Sequence, residues 1–203
     1  VDIDKSEMMK HTLHVDKAVW ADAKDFLEKV NEIAEDKVFN NQKWLDICQN
    51  WKHKYPVTLD RHWNNGGEFA NVFAFIKYLS DRLPEESYTA VSNGACCVVG
   101  HQNYTIKSGT RFIINSAIAS MGYGLPAAIG LCVADGRKDT ICLEGDGSIM
   151  MNLQELQTIV TNNLPIKLFL INNQGYHSIR LTQNNIFSEH SKVGIGPESH
   201  DLS

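Results

Sequence analysis

Hydrophobic positions in the opening part of the chain recur at helical spacing. Val19, Phe26, Val30 and Ile33 share one face of a helix expected from Ala18 to Ala34. Trp44, Ile47, Cys48 and Trp51 share one side of a second, expected from Asn40 to His53. Lys54-Tyr55-Pro56 ends it, because the residue before a proline disfavours the helical region. Residues 54–67 are polar, contain Gly66-Gly67 and read as a connector. From residue 68 the pattern changes. Phe69, Val72, Phe73, Ile76 and Leu79 recur every three or four residues, the mark of a helix with a buried face. Short apolar runs then alternate with helical stretches. Tyr88–Ser92, Arg111–Asn115, Thr140–Leu143 and Ile166–Ile171 read as strands. Leu125–Ala134 and Leu153–Thr161 read as helices, the first with Pro126 well placed in its opening turn. Strands alternating with helices predict an α/β domain around a mainly parallel sheet. In such sheets ligands bind at the carboxyl ends of the strands.

Composition narrows the class. Over 203 residues, 43% are hydrophobic and 21% charged, as in an ordinary folded domain, which excludes a disordered chain, a collagen-like repeat or a coiled-coil rod. No apolar run approaches the roughly eighteen residues a membrane-spanning helix needs, so no membrane partner is expected. The net charge is −5 and the Lys and Arg residues are scattered, which argues against a nucleic-acid partner, since tracking phosphates needs a basic face. The five cysteines (Cys48, Cys96, Cys97, Cys132 and Cys142) are odd in number and lack C-x-x-C spacing. A disulfide scaffold or structural zinc site is therefore not expected, and a reducing, cytoplasmic compartment fits better. His11 and His14 do not make a zinc motif. The chain opens at Val1 without a basic-then-apolar leader, so no signal peptide is expected, and both Val1 and Asp201-Leu202-Ser203 read as cut ends.

The chemistry concentrates in two loops. Gly145-Asp146-Gly147-Ser148 follows the strand Thr140–Leu143, and Asn172-Asn173-Gln174-Gly175 follows the strand Ile166–Ile171. Asp146 and Asn173 are 27 positions apart with a helix between them, so a βαβ unit brings both to one edge of the sheet. Asp146, the Asn173 side-chain carbonyl and a nearby backbone carbonyl are hard oxygen donors that, with phosphate oxygens and water, complete the octahedron Mg²⁺ prefers. Gly145 and Gly147 permit tight turns and a close phosphate approach. Ser148 and the N–H groups after it lead into a helix, whose start favours an anion. Either loop alone is a common turn; the pair after two strands points to Mg²⁺–diphosphate binding.

Gly145-Asp146-Gly147, followed by 24 residues and Asn172-Asn173, resembles the cofactor motif of thiamine diphosphate-dependent enzymes. The segments Ala119–Gly130, Asn152–Leu156 and Asn163–Lys167 are similar to the acetolactate synthase-like branch. The resemblance covers residues 68–203 as a three-layer αβα diphosphate-binding domain, truncated at its C-terminus. Residues 1–35 resemble the tail of a central α/β domain, and 36–67 an interdomain linker with a helix.

The resemblance implies a role for each matching position. Asp146 and Asn173 would bind Mg²⁺ through side chains and Gly175 through its carbonyl. Gly145, Gly147 and Ser148 would let backbone groups meet the diphosphate, with Asn93-Gly94-Ala95 as a second loop around it. Met121 would wedge beneath the cofactor and hold its rings in a bent shape. The backbones of Met121 and Ala119 would meet the aminopyrimidine, Ala119 standing where many relatives have glycine. Tyr176 would lie near the cofactor. His177 and Arg180 are open between substrate contacts and surface residues, and Cys96-Cys97 read as buried filler. The activating glutamate of the family belongs to a pyrimidine-binding domain of a neighbouring subunit, which implies a homo-oligomer. Glu144 and Glu155 lie in the wrong domain for that role, so no catalytic residue is assigned here, and the chain alone is expected to bind weakly without turnover. The implied parent acts on a pyruvate-like 2-keto acid and a carbonyl acceptor, as a decarboxylase or C–C ligase. Asn93–Val99, Ser120–Tyr123 and Tyr176–Gln183 look closest to acetolactate synthase-like relatives associated with surface-polysaccharide or sugar biosynthesis, and the residues flanking the metal loop differ from those of branched-chain amino-acid acetolactate synthases. FAD cannot be judged, because its site in some relatives lies in the central domain. Two other readings stay open: a non-catalytic regulatory relative, and a Rossmann-type nucleotide-binding module. The second has Gly122-Tyr123-Gly124-Leu125-Pro126-Ala127 as an imperfect G-x-G-x-x-G and lacks an apparent ribose-binding acid.

Overall fold

The computed structural model describes residues 1–187 apart from Leu13 and Glu68. The end of the 68–203 segment, with Asp201-Leu202-Ser203, lies outside the described residues. The chain divides into two compact units, Val1–Tyr55 and Pro56–Ser203.

The first unit holds α1 (Lys5–Met8), α2 (Ala23–Ala34) and α3 (Gln42–Lys54). α2 begins five residues later than the apolar spacing predicts. Asp2 forms a parallel bridge with Trp20, which keeps the preceding residues extended, and the Asp22 side chain caps the helix by accepting from Lys24 N–H at 2.7 Å. α3 ends in Lys52-His53-Lys54, and the two lysines are cations placed where the helix dipole is negative.

In the second unit the connector contains a single turn, α4 (Asp60–Trp63). The next helix, α5 (Val72–Arg82), starts after Phe69 rather than at it. Asn71 is the reason: its side-chain oxygen accepts from Phe73 N–H at 2.9 Å and so sets the cap. The α/β core follows as β1 (Tyr88–Val91), α6 (Gly94–Asn103), β2 (Arg111–Ile114), α7 (Gly124–Ala134), β3 (Thr140–Gly145), α8 (Asp146–Ile149), α9 (Glu155–Thr161), β4 (Ile166–Ile171) and α10 (His177–Ile186). The four strands form one sheet in the order β2-β1-β3-β4, and every pair is parallel.

Side chains alternate across the sheet and build two cores. Val91, Ile141 and Leu143 pack on one face with Ile76 of α5 and Cys96 and Val99 of α6. Ala90 and Cys142 pack on the other with Leu125 and Ala128 of α7 and Ile149 of α8, and Leu156 and Ile159 of α9 close over them. The result is the three-layer α/β arrangement expected from the alternation of elements. Two helices escaped the pattern. α6 reads GACCVVGHQN and buries Cys96, Val99, Gly100 and Asn103 along one face while Val98, His101 and Gln102 stay exposed, but Gly and Asn on the buried face and Val on the exposed one hide that stripe from the hydrophobic pattern. α10 follows the metal-loop motif directly and was read only as the neighbourhood of a site. Among the described residues no helix is long and apolar enough to cross a membrane, and all five cysteines are free thiols.

Candidate functional site

Because the strands are parallel, the segments after β1, β3 and β4 leave the sheet at the same edge. They line one cleft of about 290 Å³. All twelve residues singled out in the sequence lie along it: Asn93, Gly94, Ala95, Ala119, Met121, Gly145, Asp146, Gly147, Ser148, Asn173, Gly175 and Tyr176.

The oxygen donors sit at the C-terminal ends of β3 and β4. Asp146 is 7% exposed, and its Oδ2 accepts from Gly175 N–H at 2.7 Å. One terminal atom of the Asn173 amide lies 3.2 Å from Asp146 Oδ1 and 2.6 Å from the Gly175 carbonyl oxygen. With nitrogen in that position the amide donates to both. With oxygen there, three oxygens converge, and a cation among them is what stabilises such a cluster. No group of three His, Cys, Asp or Glu occurs among the described residues, so this donor set is one carboxylate with neutral oxygens, the chemistry of a hard cation rather than zinc.

The loop that carries Asn173 is tightly folded. Gln174 and Gly175 have φ of +64° and +94°. Asn172 Oδ1 accepts from Gln174 N–H at 3.0 Å, an Asx turn that supports the reversal. The Arg180 guanidinium, one turn into α10, donates through Nη2 to the Asn173 carbonyl at 2.6 Å and through Nη1 to the Gln174 carbonyl. His177 Nδ1 lies 3.5 Å from Arg180 Nη2.

Ser148 ties the other loops together. Its hydroxyl pairs with Ser92 Oγ at 2.8 Å and accepts from Gly122 N–H at 2.8 Å. Asn152 Nδ2 donates to the Gly122 carbonyl, also at 2.8 Å. The turn that carries Met121 is therefore pinned to α8. Met121 is 41% exposed on the cleft wall. Ala119 has φ of +55°, a left-handed conformation that glycine adopts more readily, and Asn93 Nδ2 donates to its carbonyl at 3.2 Å.

Three local expectations change. Asn93-Gly94-Ala95 is not a loop: Asn93 is the cap and Gly94 and Ala95 are the first turn of α6. Gly145 needs no glycine conformation, since its φ of −92° and ψ of 150° are ordinary extended backbone that completes β3. Gly147 is required for space: a Cβ there would fall 2.7 Å from Cδ1 of Tyr176, whose ring lies against it. Burial, helped by the nearby Glu144 carboxylate, pushes the Cys96 thiol up to about 12, so it stays protonated and acts as filler.

Sequence reasoning passed over Ser92, Gly122, Glu144 and Asn152 as parts of the site. Glu144 carried a signal: a charge in an otherwise apolar strand needs a buried partner. It is fully buried, and it accepts from Leu125 N–H at 3.2 Å and from Gly145 N–H at 3.1 Å. Its carboxylate thus occupies the start of α7, where the imperfect G-x-G-x-x-G segment would have to receive a nucleotide phosphate. That removes the Rossmann reading.

The carboxyl ends of β3 and β4 thus present an acid, an amide and a carbonyl to one cleft of a parallel α/β domain. The chain belongs to the family described as thiamine pyrophosphate enzyme, C-terminal TPP binding domain, which matches residues 92–201, more than half of its length. Acetolactate synthases are among its relatives. It is 31% identical over 196 residues to the acetolactate synthase isozyme 2 large subunit of Escherichia coli (strain K12), covering 93% of this chain and 33% of that protein. It is 30% identical over 204 residues to the acetolactate synthase large subunit of Cyanidium caldarium, covering 97% and 34%. It is 33% identical over 179 residues to the chloroplastic acetolactate synthase 2 of Zea mays, covering 86% and 27%. The chain spans about a third of the length of the first two relatives.

Proposed function

We propose that this chain binds the diphosphate end of thiamine diphosphate through Mg²⁺. Asp146 and Asn173 hold the metal by side chains and Gly175 by its carbonyl. Backbone groups at Gly145, Gly147 and Ser148, and at Asn93, Gly94 and Ala95, face the diphosphate. Met121 and Ala119 support the rings, and Tyr176 closes the cleft over Gly147. The observation that carries this reading is the convergence of Asp146 Oδ1, the Asn173 amide and the Gly175 carbonyl at the edge of a domain whose family is defined by this cofactor. When bound, thiamine diphosphate supplies the electron sink for decarboxylating a 2-keto acid. The protein's share is orientation and a buried, fixed electrostatic environment.

Residues 68–203 then form the cofactor domain, 36–67 the linker and 1–35 a remnant of a central domain. The whole protein is a 2-keto acid decarboxylase or C–C ligase of acetolactate synthase type, using a pyruvate-like donor and a carbonyl acceptor in the cytoplasm. Its activating glutamate comes from the pyrimidine-binding domain of a neighbouring subunit in a homo-oligomer, so the 203-residue chain alone has no turnover. Calorimetry on the full-length protein tests the reading. Binding of thiamine diphosphate should require Mg²⁺ and disappear in Asp146→Ala. Metal-independent binding, or full binding by that variant, would overturn it.

A further inference from the structure

We propose that Arg180 is a positioning residue that selects which backbone carbonyl of the Asn172–Gly175 loop faces the metal. This rests on the reading of Asp146, Asn173 and Gly175 as the metal ligands. Of the three successive carbonyls of Asn173, Gln174 and Gly175, that of Gly175 lies 2.6 Å from the Asn173 amide and also accepts from His177 N–H at 2.8 Å. Arg180 takes the other two. Its Nη2 donates to the Asn173 carbonyl at 2.6 Å and its Nη1 to that of Gln174. A planar fork with two N–H groups in fixed relation matches adjacent carbonyls; a lysine ammonium bonds as a point and does not hold both in register.

The clamp is needed because the loop's conformation is not the one its residues prefer. Gln174 has φ of +64°, a left-handed conformation that a residue with a Cβ resists. The Asx turn from Asn172 supports Gln174 N–H from one side, and Arg180 fixes its carbonyl from the other. The Gln174 carbonyl and the Gly175 N–H share one peptide plane, so fixing that carbonyl points the N–H at Asp146 Oδ2, 2.7 Å away, and the Gly175 carbonyl in the next plane faces Asn173. Arg180 stands in the first turn of α10, where its own N–H makes the ordinary helical bond to the Tyr176 carbonyl at 3.0 Å. Arg180 therefore works on the metal through the loop backbone rather than as a binder of substrate carboxylate.

The test uses Arg180→Lys and Arg180→Ala in the full-length protein, with Arg137→Ala as control. Arg137 also donates to a backbone carbonyl, that of Asn162 at 3.1 Å, but follows α7 at the opposite end of β3. At saturating thiamine diphosphate, Mg²⁺ titration should show affinity weakened roughly 10–100-fold in Arg180→Ala, the usual consequence of losing an outer support of a metal ligand. Arg180→Lys should fall between it and the wild type, and excess Mg²⁺ should restore cofactor binding in both. In the metal-free protein, amide exchange of Gln174 to Tyr176 should quicken in both variants while β3 and β4 keep their protection. Arg137→Ala should change neither. Unaltered Mg²⁺ affinity with unaltered loop exchange would overturn the proposal, as would acceleration spread over the whole of α10 and β4. If the wild type binds no Mg²⁺ with the cofactor, the functional reading fails, and the exchange measurement still decides whether Arg180 clamps the loop.

Discussion

Gly147→Ala separates a steric requirement from a conformational one. Gly147 lies inside the single turn α8, where a methyl group is compatible with the backbone and raises helix propensity by up to about 1 kcal/mol. The added Cβ would nevertheless stand 2.7 Å from Cδ1 and 2.8 Å from Cε1 of Tyr176. The ring must retreat by about 0.7 Å to regain the 3.4 Å of ordinary contact. Forced shifts of this kind in packed sites cost about 1–3 kcal/mol, so the net change is a loss of about 0–2 kcal/mol. The sign should depend on Tyr176. In a Tyr176→Ala background the clash is gone and only the propensity gain remains, so Gly147→Ala should stabilise there by up to about 1 kcal/mol. Urea unfolding of the four members of this cycle, in the absence of ligand, gives the coupling directly, expected at about 1–3 kcal/mol. The affinity for Mg²⁺–thiamine diphosphate should also fall in Gly147→Ala, because both residues line the cleft. An equal loss of stability in both backgrounds would refute the argument, since the methyl group would then be colliding with something other than Tyr176.

Two further outcomes follow from the same geometry. Ala119→Gly should stabilise the protein by up to about 1 kcal/mol, because relief of a left-handed alanine, about 1–2 kcal/mol, exceeds the roughly 0.5–1 kcal/mol entropic disadvantage of glycine; a loss of stability in urea titrations would show that the φ of +55° is not strained. Cys96 gives a pH dependence. Its thiol is raised by burial from 9.0 to about 12, so the unfolded chain releases its proton first. This contribution is intact below about pH 9 and is lost as the pH rises from 9 towards 12. The urea midpoint of Cys96→Ala should therefore decline less steeply across that window, and parallel curves for the variant and the wild type would contradict it.

Much of the framework is written in local pattern. The four strands begin at the residues where the apolar runs begin, Tyr88, Arg111, Thr140 and Ile166, because β-rich runs bounded by polar residues have few other ways to bury themselves. Element ends were less legible. Asp22 and Asn71 reset the starts of α2 and α5, and a cap is a single hydrogen bond that periodicity does not register. α6 was invisible because Gly100 and Asn103 lie on its buried face and Val98 on its exposed one, so residue type does not mark the stripe.

By itself the sequence determined that Asp146 and Asn173 emerge from neighbouring strands, since a βαβ unit with parallel strands has one carboxyl edge and both residues fall just beyond it. The cofactor family was likewise readable from the two loop motifs. Only the tertiary structure decided how the loops are held. Ser148 joins Ser92 and Gly122 across 56 and 26 residues of chain. Glu144 fills the start of α7, the Tyr176 ring lies where a Cβ on residue 147 would point, and Arg180 donates to two successive carbonyls of the Asn172–Gly175 loop. These contacts depend on distances between segments remote in sequence or on the direction of a peptide plane. Neither is encoded in residue type or spacing; both are set when the two cores close on the sheet.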